Sequence, residues 1–184
     1  MNSILQLDPA GERPRILVIE PNRAYLGVMA RRLGEHGYRV ATADNAQTGL
    51  AEMYRVPVSL VLCDLNLRGT NGIELVRMIR EDPVHREIPV LLVVGRSDPN
   101  AAVRAFEAGA DGVVRKPCHF DVLCACIARQ LARADALKRL VEDKAALDAK
   151  VISRVIELRE VREQLSAAER ERRRLARMIA DRAA

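Results

Sequence analysis

After a polar opening, apolar residues come in short unbroken runs. Arg15 to Ile19 reads RILVI, and similar runs recur at Tyr38 to Ala43, Val58 to Cys63, Pro89 to Val94 and Gly112 to Arg115. Runs of this length without alternation predict strands buried on both faces, as in a parallel sheet. Between them the apolar positions switch to helical spacing, at about Asn22 to His36, Asn45 to Tyr54, Gly72 to Arg80, Pro99 to Ala108, and from His119 onward. Strands alternating with helices in this way imply right-handed crossovers and an α/β doubly wound sheet.

The last helix departs from that rhythm. No Pro or Gly interrupts the chain from His119 to Arg182, so one unbroken helix of roughly 95 Å is expected. Counting alternately three and four from Leu137 lands on Leu140, Lys144, Leu147, Val151, Arg154, Leu158, Val161, Leu165, Ala168, Arg172, Leu175 and Ile179. So narrow a stripe is too thin for a globular core and suits a partner helix, which predicts a homodimer through a parallel coiled coil. Lys144, Arg154 and Arg172 break the seam, weakening it while helping to fix its register. A lone solvated helix is the competing reading, opposed by the liability of a long exposed apolar stripe. The expected organisation is a polar leader over 1–14, an α/β domain over 15–133 and a coiled-coil helix over 134–184.

Composition narrows the class. The 184 residues hold one ordinary domain with an appendage, and 49% hydrophobic with 30% charged residues suits a chain with a real core and a solvated surface. Aromatics at 3% make that core aliphatic. The formal net charge of +5 is mild and its signs are interleaved. The basic run Arg170 to Arg174 invites a nucleic-acid reading, but Glu169 and Glu171 interrupt it and no aromatic is interleaved. No apolar run approaches the ~20 residues of a membrane span, and the opening lacks a signal peptide's apolar centre, so a cytoplasmic protein without membrane contact is expected. Cys63, Cys118, Cys124 and Cys126 form neither a CxxC pair nor a zinc pattern. They are expected to be reduced, mostly buried thiols.

The candidate chemistry lies just after the strands, because loops at the carboxyl ends of parallel strands gather at one edge of the sheet. There the chain places Glu20 and Pro21, then Cys63 and Asp64, then Val94 and Gly95, then Arg115, Lys116 and Pro117. Two carboxylates and one ammonium would converge. A purely structural salt bridge is the alternative reading of such a cluster.

Three stretches at these separations carry a resemblance. They are RILVIEPN from Arg15, LVLCDLNLRGTNGIELVRMIR from Leu60 to Arg80, and Gly109-Ala110-Asp111 followed by Arg115-Lys116-Pro117. Over Arg15 to Leu131 the chain resembles the receiver domain of bacterial response regulators, the phosphate-accepting modules of two-component signalling. The resemblance implies a flavodoxin-like (βα)5 sheet of order 2-1-3-4-5 and makes Asp64 the phosphoacceptor, with a sensor histidine kinase or phosphotransfer protein as partner. Lys116 would pair with Asp64 at rest and with a phosphoryl oxygen afterwards, aimed by Pro117 in a cis peptide. Magnesium would be held by Asp64, Glu20 and the backbone carbonyl of Asn66.

The chain also departs from the family pattern. Pro21 replaces an acidic residue that would touch the metal, which implies a weakened magnesium site. The switch positions, normally a hydroxyl residue and an aromatic, are Val94 and Val113, and Arg68 stands where the loop usually has proline. Three readings follow. In the first, Asp64 is phosphorylated and a non-enzymatic module signals through a dimeric helical stalk, with Arg68 or Arg96 contacting the phosphoryl group. In the second, a pseudo-receiver that accepts no phosphate acts as a scaffold. In the third, the sequence is the regulatory half of a truncated multidomain output enzyme; Leu147 to Leu165 loosely resembles helices that join receivers to cyclic-dinucleotide enzymes, although no such domain follows it here.

Overall fold

The computed structural model describes residues 13–96 and 98–182, excepting the side chains of residues 175 and 179–182. The polar leader, apart from Arg13 and Pro14, and the seam side chains of Leu175 and Ile179 therefore lie outside the described residues. Strands β1 (Arg15–Ile19), β2 (Arg39–Ala43), β3 (Leu60–Asp64), β4 (Val90–Val94) and β5 (Gly112–Arg115) alternate with helices α1 (Arg23–Glu35), α2 (Ala46–Arg55), α3 (Gly72–Glu81), α4 (Ala101–Glu107) and α5 (Phe120–Arg182). All strand pairs are parallel, in the order β2-β1-β3-β4-β5. The expected fold and strand order are both present.

Alternation along the strands explains the two-sided core. Leu17, Ile19, Val61, Cys63, Val90, Leu92 and Val94 face α2, α3 and α4, packing with Met53, Leu75, Val76, Ile79, Ala101 and Ala105. Ile16, Val18, Leu60, Leu62, Leu91 and Val93 face α1 and α5, against Met29, Leu33, Leu123, Ile127 and Leu131. Successive side chains of a strand point to opposite faces, so both faces of each run had to be apolar.

Element ends differ from the sequence reading, two of them for identifiable reasons. The third strand begins at Leu60 and not at Val58, although Ser59 already reaches β1: its N–H donates to the Arg15 carbonyl at 2.8 Å and its hydroxyl accepts the Arg15 N–H at 3.1 Å. The fourth begins after Pro89, which has no N–H for the ladder. The fourth helix is shorter than Pro99 to Ala108, since Asp98 folds the entry into a turn by accepting the Asn100 N–H at 3.0 Å.

Asparagines anchor three helices at the carboxyl edge of the sheet. Asn22 accepts from Ala24 and Tyr25 N–H, Asn45 from Thr48 N–H, and Asn71 forms a reciprocal capping box with Glu74. Each satisfies N–H groups that the first turn leaves without partners. At the opposite edge Arg80 ties the sheet to α3, donating to the carbonyls of Gly109, Arg86 and Ile88 and to Asp111 Oδ2 at 2.5–2.8 Å. The chain divides into two compact units, the first ending at Leu137 and the second starting at Lys138.

Candidate functional site

Asp64 ends β3 on the same face as Leu60 and Leu62, and is buried. Glu20 follows β1 directly and is also buried, while Lys116 follows β5. The ladder runs one step past the strands: Glu20 N–H donates to Ala43 O at 3.0 Å, Leu65 N–H to Val93 O at 2.8 Å and Lys116 N–H to Val94 O at 2.8 Å. The sheet's own hydrogen bonds therefore fix the backbone under all three charged groups.

Their side chains meet. Lys116 Nζ donates to Glu20 Oε2 at 2.9 Å and to Asp64 Oδ2. The remaining oxygens accept backbone N–H groups, Glu20 Oε1 from Asn22 at 3.0 Å and Asp64 Oδ1 from Asn66 at 2.7 Å. Lys116–Pro117 is a cis peptide bond. Burial works to lower the Lys116 pKa, but the hydrogen bonds it donates to Asp64 and Glu20 outweigh it and hold the amine above the usual lysine value. One ammonium thus serves two carboxylates, leaving one negative charge uncompensated. Desolvation makes such a cluster a poor source of stability, and its lysine can turn to any oxyanion brought beside Asp64.

The altered positions have definite environments. Val94 ends β4 buried in the core, and Val113 is half-buried against the same cluster. Pro21 brings no side-chain ligand, and Arg68 and Arg96 are exposed. Cys63 packs on the face opposite Asp64, donating its Sγ hydrogen to the Asp64 carbonyl at 3.2 Å, and burial drives its thiol pKa far up. That thiol is unreactive. The expectation of mostly buried thiols needs correction: Cys118, in the loop after β5, and Cys124 and Cys126, on the flank of the first turns of α5, are free and half-buried. Burial pushes Cys124 up to about 11.

The resemblance implied magnesium at this acidic edge, and the donors here fit it. The Glu20 and Asp64 carboxylates, brought together on Lys116, are hard oxygen donors of the kind a hard cation takes. The set is thin, since no cluster of three or more metal-ligating His, Cys, Asp or Glu side chains occurs among the described residues.

Two features escaped the sequence reading, one at this edge and one at the opposite edge. The ring of Tyr25 on α1 lies 4.8 Å from Lys116 Nζ, and only its place three residues after the Asn22 cap hinted at it. Buried His85 is bonded through Nδ1 to Asp82 at 2.6 Å and through Nε2 to the Met53 carbonyl at 3.2 Å, with the Tyr54 ring edge-on. Two unremarkable helix ends are joined there, which no local pattern signals.

In the second unit the apolar side chains are open. Leu140, Leu147, Val151, Leu158, Val161 and Leu165 are each 59–68% exposed. The stripe broadens at its middle, where Ile152, Val155 and Ile156, also exposed, flank Arg154. Arg154 itself is paired with Glu157 at 2.6 Å. No helix among the described residues is long and apolar enough to cross a membrane.

A five-stranded parallel sheet with two carboxylates and a lysine gathered at its carboxyl edge defines an α/β signalling module of receiver type. The response regulator receiver domain model matches residues 16–128, and the chain belongs to that family. It is 38% identical over 109 residues to the transcriptional regulatory protein AruR of Pseudomonas aeruginosa, covering 56% of this chain and 43% of that protein. It is 34% identical over 124 residues to the phosphate regulon transcriptional regulatory protein PhoB of Rhizobium meliloti, covering 66% of this chain and 53% of that one. A CheY-like response regulator receiver domain protein of Methanospirillum hungatei superposes with a TM-score of 0.62 at 27% identity, over 67% of this chain and 97% of that one. The chain thus spans about half the length of these curated relatives. It is a receiver domain of a response regulator in two-component signalling.

Proposed function

We propose that Asp64 accepts a phosphoryl group from a phosphohistidine on a sensor histidine kinase or phosphotransfer protein, and that the signal leaves through a homodimer formed by α5. The observation that carries this is Lys116 bonded to Asp64 and Glu20 at once. A carboxylate oxygen of Asp64 attacks phosphorus as the P–N bond breaks and the imidazole departs. A carboxylate is a weak nucleophile, so the step depends on placement and on cations that offset charge on the transferring group. The Asn66 N–H steadies Asp64, and Lys116 is free to exchange one carboxylate for a phosphoryl oxygen. Magnesium, held by Asp64, Glu20 and the Asn66 carbonyl, would supply further charge neutralisation, weakly because Pro21 offers it nothing.

The domain would span 15–133 and the stalk 134–184. The exposed stripe of Leu137, Leu140, Leu147, Val151, Leu158, Val161 and Leu165, continued in sequence by Leu175 and Ile179, suits a second copy of the same helix. A pseudo-receiver scaffold is favoured by one specific feature: Val94 and Val113 have neither the hydroxyl nor the aromatic that would report modification. The regulatory half of a longer output protein is a third reading, resting on the share of its relatives that the chain spans.

Incubation with acetyl phosphate and magnesium, read by intact mass, separates the first two. One phosphoryl increment on the wild type and none on Asp64→Asn is the expected result. No increment on the wild type, with either this donor or a phosphorylated phosphotransfer protein, would favour the scaffold.

A further inference from the structure

Tyr25 occupies the first turn of α1, half-buried, and lines a small recess with Glu20, Met29, Asp64, Val93 and Cys118. Two bonds fix its place. Its N–H donates to Asn22 Oδ1 at 3.1 Å, and the Asn22 N–H donates to Glu20 Oε1 at 3.0 Å, so the turn that carries the ring is tied to the carboxylate that shares Lys116. The ring then lies over the ammonium, 4.8 Å from Nζ to its centre. Burial raises the phenol's pKa while Lys116 works to lower it, and the charges of Glu20 and Asp64 also reach it. Among the described residues its hydroxyl makes no hydrogen bond.

The strands, by contrast, offer this edge only aliphatic side chains at Val94 and Val113. We propose that Tyr25 is the positioning residue of the site: its ring holds the Lys116 ammonium between Glu20 and Asp64, and passes movement of that ammonium to α1. An aromatic face attracts a cation through its quadrupole, and here it approaches an ammonium already bonded to both carboxylates. When negative charge is added at Asp64, Lys116 is drawn along and its contact with the ring changes. The second half of the inference rests on Asp64 as phosphoacceptor, whereas the first does not.

The test uses the full chain with Tyr25→Leu and Tyr25→Met, two ringless variants so that a folding failure of one is not decisive, and Tyr25→Phe. The Lys116 side-chain resonances are read by NMR in isotopically labelled lysine, assigned with Lys116→Arg, and the acquisition of phosphoryl mass from acetyl phosphate is timed. Loss of the ring should remove the ring-current shift that a facing aromatic gives those resonances and slow modification by about threefold, the size expected of a partly exposed cation–aromatic contact. Tyr25→Phe should rescue both. Lys116 resonances unchanged in a folded ringless variant overturn the proposal. Shifted resonances in a protein that is never modified support the ring's hold on Lys116 and fail the Asp64 reading instead.

Discussion

Lys116 is 34% exposed, yet its amine is more basic than an ordinary lysine because Asp64 and Glu20 both accept from it. A group that binds its proton more tightly in the folded chain contributes stability that is complete below its unfolded value of 10.5 and is lost as pH climbs through the folded value. Tyr25 and Tyr38, raised from 10.0 by burial, act in the same direction, because their unfolded phenols ionise first. Unfolding free energy from urea titrations should therefore begin to fall near pH 9, where the unfolded thiols of Cys63 and Cys124 ionise. It should fall more steeply beyond pH 10 as the phenols and Lys116 join them. A rise between pH 10 and 11 would contradict the pairing. Asp64, Glu20 and Lys116 were legible because each ends or directly follows a readable strand, so the fold alone brings them together. Tyr25 was not, since a ring meeting an ammonium across two elements leaves no spacing in the chain.

At the scale of elements, the approach of α3 to the end of β3 decides the geometry of the site. A Cβ on Gly72 would collide with the Asp64 carbonyl oxygen and lie 2.8 Å from Leu92 Cδ1 and 3.0 Å from the Leu65 Cα. Two of those neighbours are backbone, so the helix start itself must shift. Gly72→Ala is expected to cost about 1–3 kcal/mol in denaturant unfolding and to perturb the Asp64 amide in NMR spectra. An unperturbed amide would contradict the close approach. Strand and helix identities were readable because uninterrupted apolar runs and helical spacing differ in period. Their ends were less so: Pro89 and Asp98 set two of them through hydrogen bonds made or missing in the folded chain, and His85 joins α2 to the loop after α3 through partners 3 and 32 residues away.

For the molecule as a whole, the open question is what covers the stripe on α5. A second copy of the chain predicts a dimer by light scattering. Leu158→Asp with Leu165→Asp should convert it to a monomer that keeps its folded α/β unit, since each carboxylate would be placed in a dehydrated seam. An unchanged mass would reject the coiled coil. The three-and-four spacing revealed the stripe in the sequence, but not its broadening at Ile152, Val155 and Ile156, because strict counting follows only one seam.

The central claim, that Asp64 carries the phosphoryl group, is tested most directly by trapping. Borohydride reduces an aspartyl phosphate to homoserine, which peptide sequencing by mass spectrometry locates. After treatment with a phosphodonor, homoserine at position 64 and at no other aspartate is the predicted result. Homoserine elsewhere, or none in a protein that has gained phosphoryl mass, would contradict the account.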